Sequence, residues 1–257
     1  MIHSLAYVHP EAKVAANVSI EPFAYIAKDV IIEEGCWIAA NANILDGARI
    51  AKNCKIFNGA VISAIPQDLK FAGEKSLVII GANTSIREHV TINRGTKQGP
   101  NTILGENCLI MAYSHIAHDC ILGDHVILAN ATTLAGHVQI EDWAIIGGLS
   151  AVHQFVKVGA HALVAGGSKL RKDIAPYTKV ANDPLTYVGI NSIGLKRRGF
   201  DESQINKIHS IYRILYQKGL NISQAVERIQ SEFVSSPESE KILSFIENSN
   251  LGIIKKI

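Results

Sequence analysis

Residues 115–120 read His-Ile-Ala-His-Asp-Cys, and few other places in the chain gather a base, a carboxylate and a possible ligand so closely. An imidazole titrates near neutrality, so His118 could take a proton from a hydroxyl, and the carboxylate of Asp119 beside it could orient the ring. Eighteen residues after His118 stands Gly136, and eighteen further Gln154, with His153 next to it; eighteen after Asp119 stands His137. If that spacing makes neighbours in space, a line of polar groups crosses three layers of the molecule. Three readings of it compete. Converging imidazoles could hold zinc and a metal-bound water, as in a hydratase. A lone imidazole could take a proton from a hydroxyl as a general base, oriented by a carboxylate such as Asp119. The histidines could also do no more than pack between subunits.

The spacing of eighteen comes from a repeat. From Val8 to Ile62 a β-branched residue recurs every six positions: Val8, Val14, Ile20, Ile26, Ile32, Ile38, Ile44, Ile50, Ile56 and Ile62. Two positions before each sits a small or slender side chain, from Ala6 and Ala12 to Cys54 and Ala60. The phase returns at Ile80, Ile86 and Ile92 and again from Leu104 through Ile116, Leu134 and Val152 to Leu170. A period of six is neither the 3.6 of a helix nor the 2 of a strand; fixed self-similarity marks a solenoid. The aliphatic side chain points inward and the small one lets the chain turn, so three units close a triangular coil. Successive coils stack at about 4.7–4.9 Å and bury a core that no single coil could. Within His115–Asp119 the inward position falls on Ile116, which predicts that His115 and His118 face the outer surface.

Two segments interrupt the repeat without losing its phase: residues 63–75, containing Gln67, Asp68 and Lys70, and residues 93–101. Loops at the corners of a solenoid are natural binding elements. Beyond Leu170 the period changes to three and four, and helices are expected from about Asp201. Asp201 with Gln204, and Asn221 with Gln224, fit capping boxes; Ile205, Ile208, Tyr212 and Leu215 form one apolar stripe; Gly219 suits a helix end; a third helix is expected over about 238–248. The resulting division is a β-helix over 1–190 and a helical domain over 191–257 that covers its open end.

With 257 residues, 47% hydrophobic but 6% aromatic, the chain can build a large core from Ile, Val, Leu and Ala, and a net charge of +2 gives no reason to expect nucleic acid. Basic residues gather at Lys169, Arg171, Lys172, Lys196, Arg197 and Arg198. Cys36, Cys54, Cys108 and Cys120 all occupy small positions of the repeat and read as reduced structural thiols. Neither a signal peptide nor a membrane span is expected, which agrees with a soluble cytoplasmic protein.

Six strings in order, QDLKFAGE, SIREHVTINRGT, HIAHDC, ATTLAGHV, AIIGGLSAVHQF and GLKRRGF, resemble the UDP-N-acetylglucosamine 3-O-acyltransferases of lipid A biosynthesis, along essentially the whole chain. The resemblance implies a left-handed parallel β-helix with a C-terminal α-helical domain, an exception to the right-handed crossover rule, assembled as a homotrimer with sites between subunits. The implied reaction moves a 3-hydroxyacyl chain from acyl carrier protein to the glucosamine 3-position of the UDP-sugar, the first step of lipid A biosynthesis, with no metal and no dissociable cofactor. His118 would be the general base, Asp119 its orienting partner, and the Gly136 N–H an oxyanion donor. Asp68 would accept from the acyl 3-hydroxyl, and Lys70, His115, His137, His153 and Gln154 would line the pocket. Asn191, Arg197 and Arg198 would hold the nucleotide, and the basic residues above would dock the acidic carrier. At Gly166 the family stops its acyl groove with a side chain; glycine there implies a preference for long chains. One departure is Ile193, where the family's strings often carry a glutamate on the uridine side; it leaves open whether the acceptor is the ordinary sugar or its 3-amino analogue.

Overall fold

The computed structural model describes residues 1–99, 101–217, 219–233 and 236–255; Pro100, within the second interruption, lies outside them. Each six-residue unit forms a two-residue strand whose first side chain points outward and whose second, the repeat aliphatic, points inward. Strands pair in parallel with the coil below, Val8 with Ile26, Ile38 with Ile56, Ile110 with Leu128 and Ile116 with Leu134. Three parallel faces result. The first runs from Tyr7–Val8 to Lys169–Leu170, the second from Lys13–Val14 to Lys157–Val158, and the third from Ser19–Ile20 to Thr178–Ala181. The winding is that of a left-handed parallel β-helix. The interruptions preserve the stacking: Ile62 pairs with Ile92 across thirty positions and Ile92 with Ile116 across twenty-four, so each insertion adds whole units.

The interior is a column of fully buried aliphatics, Ile26, Ile44, Ile62, Ile92, Ile116 and Leu134 along one face and equivalents along the others. Each is worth about 1.5–3 kcal/mol relative to exposure. All four cysteines are free and buried among them, and the thiols of Cys54, Cys108 and Cys120 donate to the carbonyls of Gly81, Gly123 and Ala135.

The corners carry a feature the periodicity does not reveal. The residue three positions after the inward aliphatic adopts a left-handed backbone in coil after coil: Asn41, Asn53 and Asn107, but also Asp119, His125, His137, Trp143, Phe155 and His161, with φ of 56–67°. This conformation costs a residue other than Gly, Asn or Asp about 1–2 kcal/mol. The larger corner side chains stack vertically, which offsets that cost.

At the C-terminal end the strand Thr186–Ile190 pairs antiparallel with Thr178–Ala181 and ends the stacking. Four helices follow among the described residues: α1 (Ser192–Arg197), α2 (Glu202–Gln217), α3 (Ile222–Glu232) and α4 (Pro237–Glu247). They enclose a second core that includes Tyr187, Leu195, Ile208, Ile211, Tyr212, Ile229 and Ile242. The expectation that helices begin near Asp201 misses α1. That helix has six residues and one buried side chain, Leu195, so it shows no apolar stripe, and it is started instead by the Asn191 side chain accepting from Gly194 N–H. The capping boxes Asp201/Gln204 and Asn221/Gln224 both form, and Gly219 has the positive φ, +68°, of a helix end. Among the described residues, no helix is long and apolar enough to cross a membrane.

Candidate active site

Ile116, buried in the core, and Leu122, one unit later, fix the two ends of a corner between the first and second faces, and the turn between them carries His118 and Asp119. Asp119 sits at the left-handed position with φ 62°, and its N–H donates to the hydroxyl of Thr102. Its carboxylate accepts from three donors at 2.7 Å: Nδ1 of His118 and the hydroxyl of Thr96 on Oδ2, and the N–H of Thr96 on Oδ1. An ionised carboxylate can only accept, so His118 carries its proton on Nδ1 and presents a bare lone pair at Nε2. That is the tautomer a general base needs.

The stacking arithmetic holds at this corner. The N–H of His137 donates to the His118 carbonyl, and His137 Nε2 lies 3.3 Å from Asp119 Oδ2. Gly136 lies against the His118 ring; a Cβ added there would fall 2.5 Å from Cε1 and 2.7 Å from Nε2, so only glycine leaves room for the imidazole. Among the described residues the Gly136 N–H donates to no acceptor. His137 packs edge-on to His118 with centroids 5.2 Å apart and stacks on Phe155 at 4.8 Å. Below it, His115 Nδ1 lies 2.7 Å from the Thr91 hydroxyl, and burial, reinforced by His118, pushes its imidazole below the usual range, toward the neutral form.

The dyad is less open than its place outside the core suggested. His118 and Asp119 are 8% and 5% exposed, because residues 94–99 fold over them. Gly99 is so close that a Cβ there would fall 2.9 Å from Asp119 Oδ1. Thr96 is thus a site residue that the sequence reading missed; only its place in the second interruption pointed toward it. This loop is tied to the first one: Glu74 accepts from Lys97 N–H, the Asn93 side chain donates to the Ile65 carbonyl, and Arg94 lies over the Phe71 ring.

His118, Asp119 and His137 each offer one ligand atom within 4.8 Å of the others, the set a zinc ion could use. A cation there would compete with the hydrogen bonds that already meet at Asp119 Oδ2.

The remaining candidates lie elsewhere on the surface. Asp68 accepts from the Lys70 N–H within the first loop, and Lys70 is exposed. His153 and Gln154 occupy the coil beyond Gly136, with His153 exposed. Gly166 sits at the edge between the third and first faces, and a Cβ there would meet the Gly148 carbonyl at 3.1 Å. Asn191, Arg197 and Arg198 come together around a cleft of about 490 Å³ on the third face, with Ile145, Leu163 and Lys179 on its floor and Ile193 at its rim. Asn191 donates to the His161 carbonyl. Arg198 is held by His161 Nδ1 at 3.2 Å and by the Trp143 face at 5.2 Å. Burial, and then Arg198, depress His161 to about 4, so it stays a neutral acceptor. Among the described residues, no hydrogen bond or ion pair joins this cleft, Asp68, Lys70 or Gly166 to the His118–Asp119 pair.

The chain matches three family models: Udp N-acetylglucosamine O-acyltransferase, Domain 2, over residues 173–254; bacterial transferase hexapeptide (six repeats) over 101–136; and GMPPB C-terminal domain over 2–96. It is 45% identical over 255 residues to the acyl-(acyl-carrier-protein)–UDP-N-acetylglucosamine O-acyltransferase of Myxococcus xanthus, covering 99% of each chain, and 44% identical to that of a Janthinobacterium species, covering 76% of each. The crystal structure of a UDP-N-acetylglucosamine acyltransferase from Bacteroides fragilis superposes with a TM-score of 0.97 at 51% identity, over 99% of this chain and 100% of that one. The Francisella novicida enzyme gives 0.97 at 42%, over 100% and 94%. Identity at this level along the full length, with a superposition that covers both chains almost entirely, means that the chain belongs to the acyl-(acyl-carrier-protein)–UDP-N-acetylglucosamine O-acyltransferases.

Proposed function

We propose that the chain transfers a 3-hydroxyacyl group from acyl carrier protein to the 3-hydroxyl of UDP-N-acetylglucosamine, the opening step of lipid A biosynthesis, in the cytoplasm. The observation that carries the chemistry is the His118–Asp119 contact: Nδ1 lies 2.7 Å from the carboxylate, and among the described residues neither Nε2 nor the Gly136 N–H alongside meets a hydrogen-bond partner. Nε2 takes the proton of the sugar 3-hydroxyl as that oxygen attacks the thioester carbonyl. The oxyanion of the tetrahedral intermediate accepts from Gly136, an interaction worth about 3 kcal/mol in comparable sites. Collapse breaks the carbon–sulfur bond, and the imidazolium returns its proton to the departing thiol. Asp119 keeps the ring oriented and balances its charge. His115, His137, His153 and Gln154 line the sugar and acyl path, and Lys70 and Asp68 approach the acyl chain, with Asp68 accepting from its 3-hydroxyl. The absence of a side chain at Gly166 suits a long acyl group.

Asn191, Arg197 and Arg198 hold the nucleotide, the arginine forks taking the diphosphate oxygens. In a triangular prism the third face lies opposite the edge that bears His118. A substrate touching both therefore lies between two chains, which favours a homotrimer with three composite sites. The acidic carrier docks on the basic residues around Lys169, Arg171, Lys172 and Lys196.

The test is mass spectrometry of a reaction holding the protein, long-chain 3-hydroxyacyl carrier protein, and UDP-N-acetylglucosamine in competition with its 3-amino analogue. We expect an O-acylated sugar nucleotide, lost in His118→Ala; no acylated product across several acyl lengths would sink the reading. For the assembly, co-refolding inactive His118→Ala with inactive Arg198→Ala chains should restore about a quarter of the sites by random mixing in a cyclic trimer. No recovery would place both groups in one chain's site.

A further inference from the structure

Asp119 owes its orientation to a residue on another element. Of the three 2.7 Å hydrogen bonds into its carboxylate, two come from Thr96, through N–H and hydroxyl at once, and both are buried. The third is the His118 bond itself. Bonds to both oxygens from one residue hold the carboxylate plane, and each Thr96 contact is charge-assisted and shielded from water, where such bonds are strongest.

Thr96 is in turn fixed from both sides. Its N–H is shared with the Gly99 carbonyl at 3.1 Å, Gly99 lies against Asp119 with no room for a side chain, and Glu74 from the other interruption accepts the Lys97 N–H at 3.0 Å. The Asn93 side chain, at the start of the same loop, donates to Ile65 at 2.8 Å. The second insertion thus reaches the carboxylate directly, and the first braces the second. An ordinary corner has no need of this: Phe155, in the equivalent position two coils up, holds the same left-handed backbone with no such clamp.

We propose that Thr96 is a positioning residue for the transfer reaction, fixing Asp119 so that its Oδ2 holds the His118 proton on Nδ1 and leaves Nε2 aimed at the acceptor hydroxyl. The second interruption then exists to deliver this clamp, and Glu74 locks it to the loop that carries Asp68 and Lys70. The proposal rests on His118 being the base.

The experiment compares Thr96→Val, which keeps shape and N–H but loses the hydroxyl donor, Thr96→Ala, which also relieves packing, and Thr96→Ser, which keeps both donors, with His118→Gln in parallel. A misaimed base slows the chemical step without weakening binding. We therefore expect kcat to fall about 10- to 100-fold in Val and Ala, with KM for both substrates within about twofold of the parent, and Ser to restore the rate. Parental kcat in Thr96→Val or Thr96→Ala while His118→Gln is inactive overturns the role of Thr96. So does a loss shared equally by Ser, or one that appears in KM. Parental kcat in His118→Gln overturns instead the reading of the base.

Discussion

Two edges of this β-helix carry histidines at or beside the same left-handed corner position, yet they have become different things. On the edge between the first and second faces stand His118, Asp119, His137 and Phe155; on the edge between the second and third stand His125, Trp143, His161 and Tyr177. Along the second stack the rings lie nearly parallel, His125 on Trp143 at 3.8 Å and His161 on Tyr177 at 5.6 Å, with Phe200 closing in edge-on. His161 has an arginine for its neighbour and is held neutral, so it serves as scaffold for Arg198. Along the first, a carboxylate takes the place of one ring and a loop brings two more donors to it. On the first edge an imidazole has one nitrogen pinned by an anion, the arrangement our proposal reads as a base; sandwiched between rings and beside a cation, the same side chain is a strut.

The sharpest way to break the contrast is Asp119→Asn. An amide can donate to His118, which moves the ring proton to Nε2 and removes the proposed base; we expect kcat to fall by about 100-fold or more with the fold intact, the size of a general-base contribution. A rate within tenfold of the parent would mean that Asp119 is structural, like the rings of the other edge. Next in size is Gly136→Ala. Its Cβ would fall 2.5 Å from His118 Cε1, so the ring must swing away, at a cost of about 10- to 100-fold in kcat and little in melting temperature. A comparable loss in both would show that the glycine serves packing more than aim.

The smallest effect belongs to the second edge. His161 titrates at about 4 in the folded chain and near 6.5 when unfolded, so between these values the unfolded chain binds a proton that the folded one refuses. Stability falls as pH drops through that window, and the loss is complete below it. His161→Phe keeps the stacking and removes the titration, so its urea midpoint should fall less between pH 7 and 4.5 than the parent's. Because Arg198 loses an acceptor, KM for the sugar nucleotide should rise several-fold while KM for the acyl carrier stays put. Equal acid sensitivity in the two proteins would show that His161 is not the group responsible.

The dyad was legible in the sequence because it is local and periodic. His118 and Asp119 are adjacent, and a period that closes every three units turns the count of eighteen into contact, so Gly136 falls on the His118 ring and His137 on Asp119. The departures arise at features that the hydrophobic period does not encode. Ring stacking, invisible in a hydrophobic pattern, lets Trp143, Phe155 and His161 hold left-handed corners, and the short helix α1 rests on one cap and one buried leucine.

What the sequence by itself determined is therefore the solenoid, its coil length, the two insertions in whole units, and the imidazole and carboxylate pair, since each follows from residues at fixed short spacing. Only the tertiary structure decided that Thr96 closes on Asp119 from 23 residues away, that Arg198 leans on His161 and Trp143, and that the cleft lined by Asn191 and Arg198 lies on the third face, away from the edge that carries His118. Each of these contacts has one partner outside the repeat, where no period links position in the chain to position in space, and packing alone brings the two together.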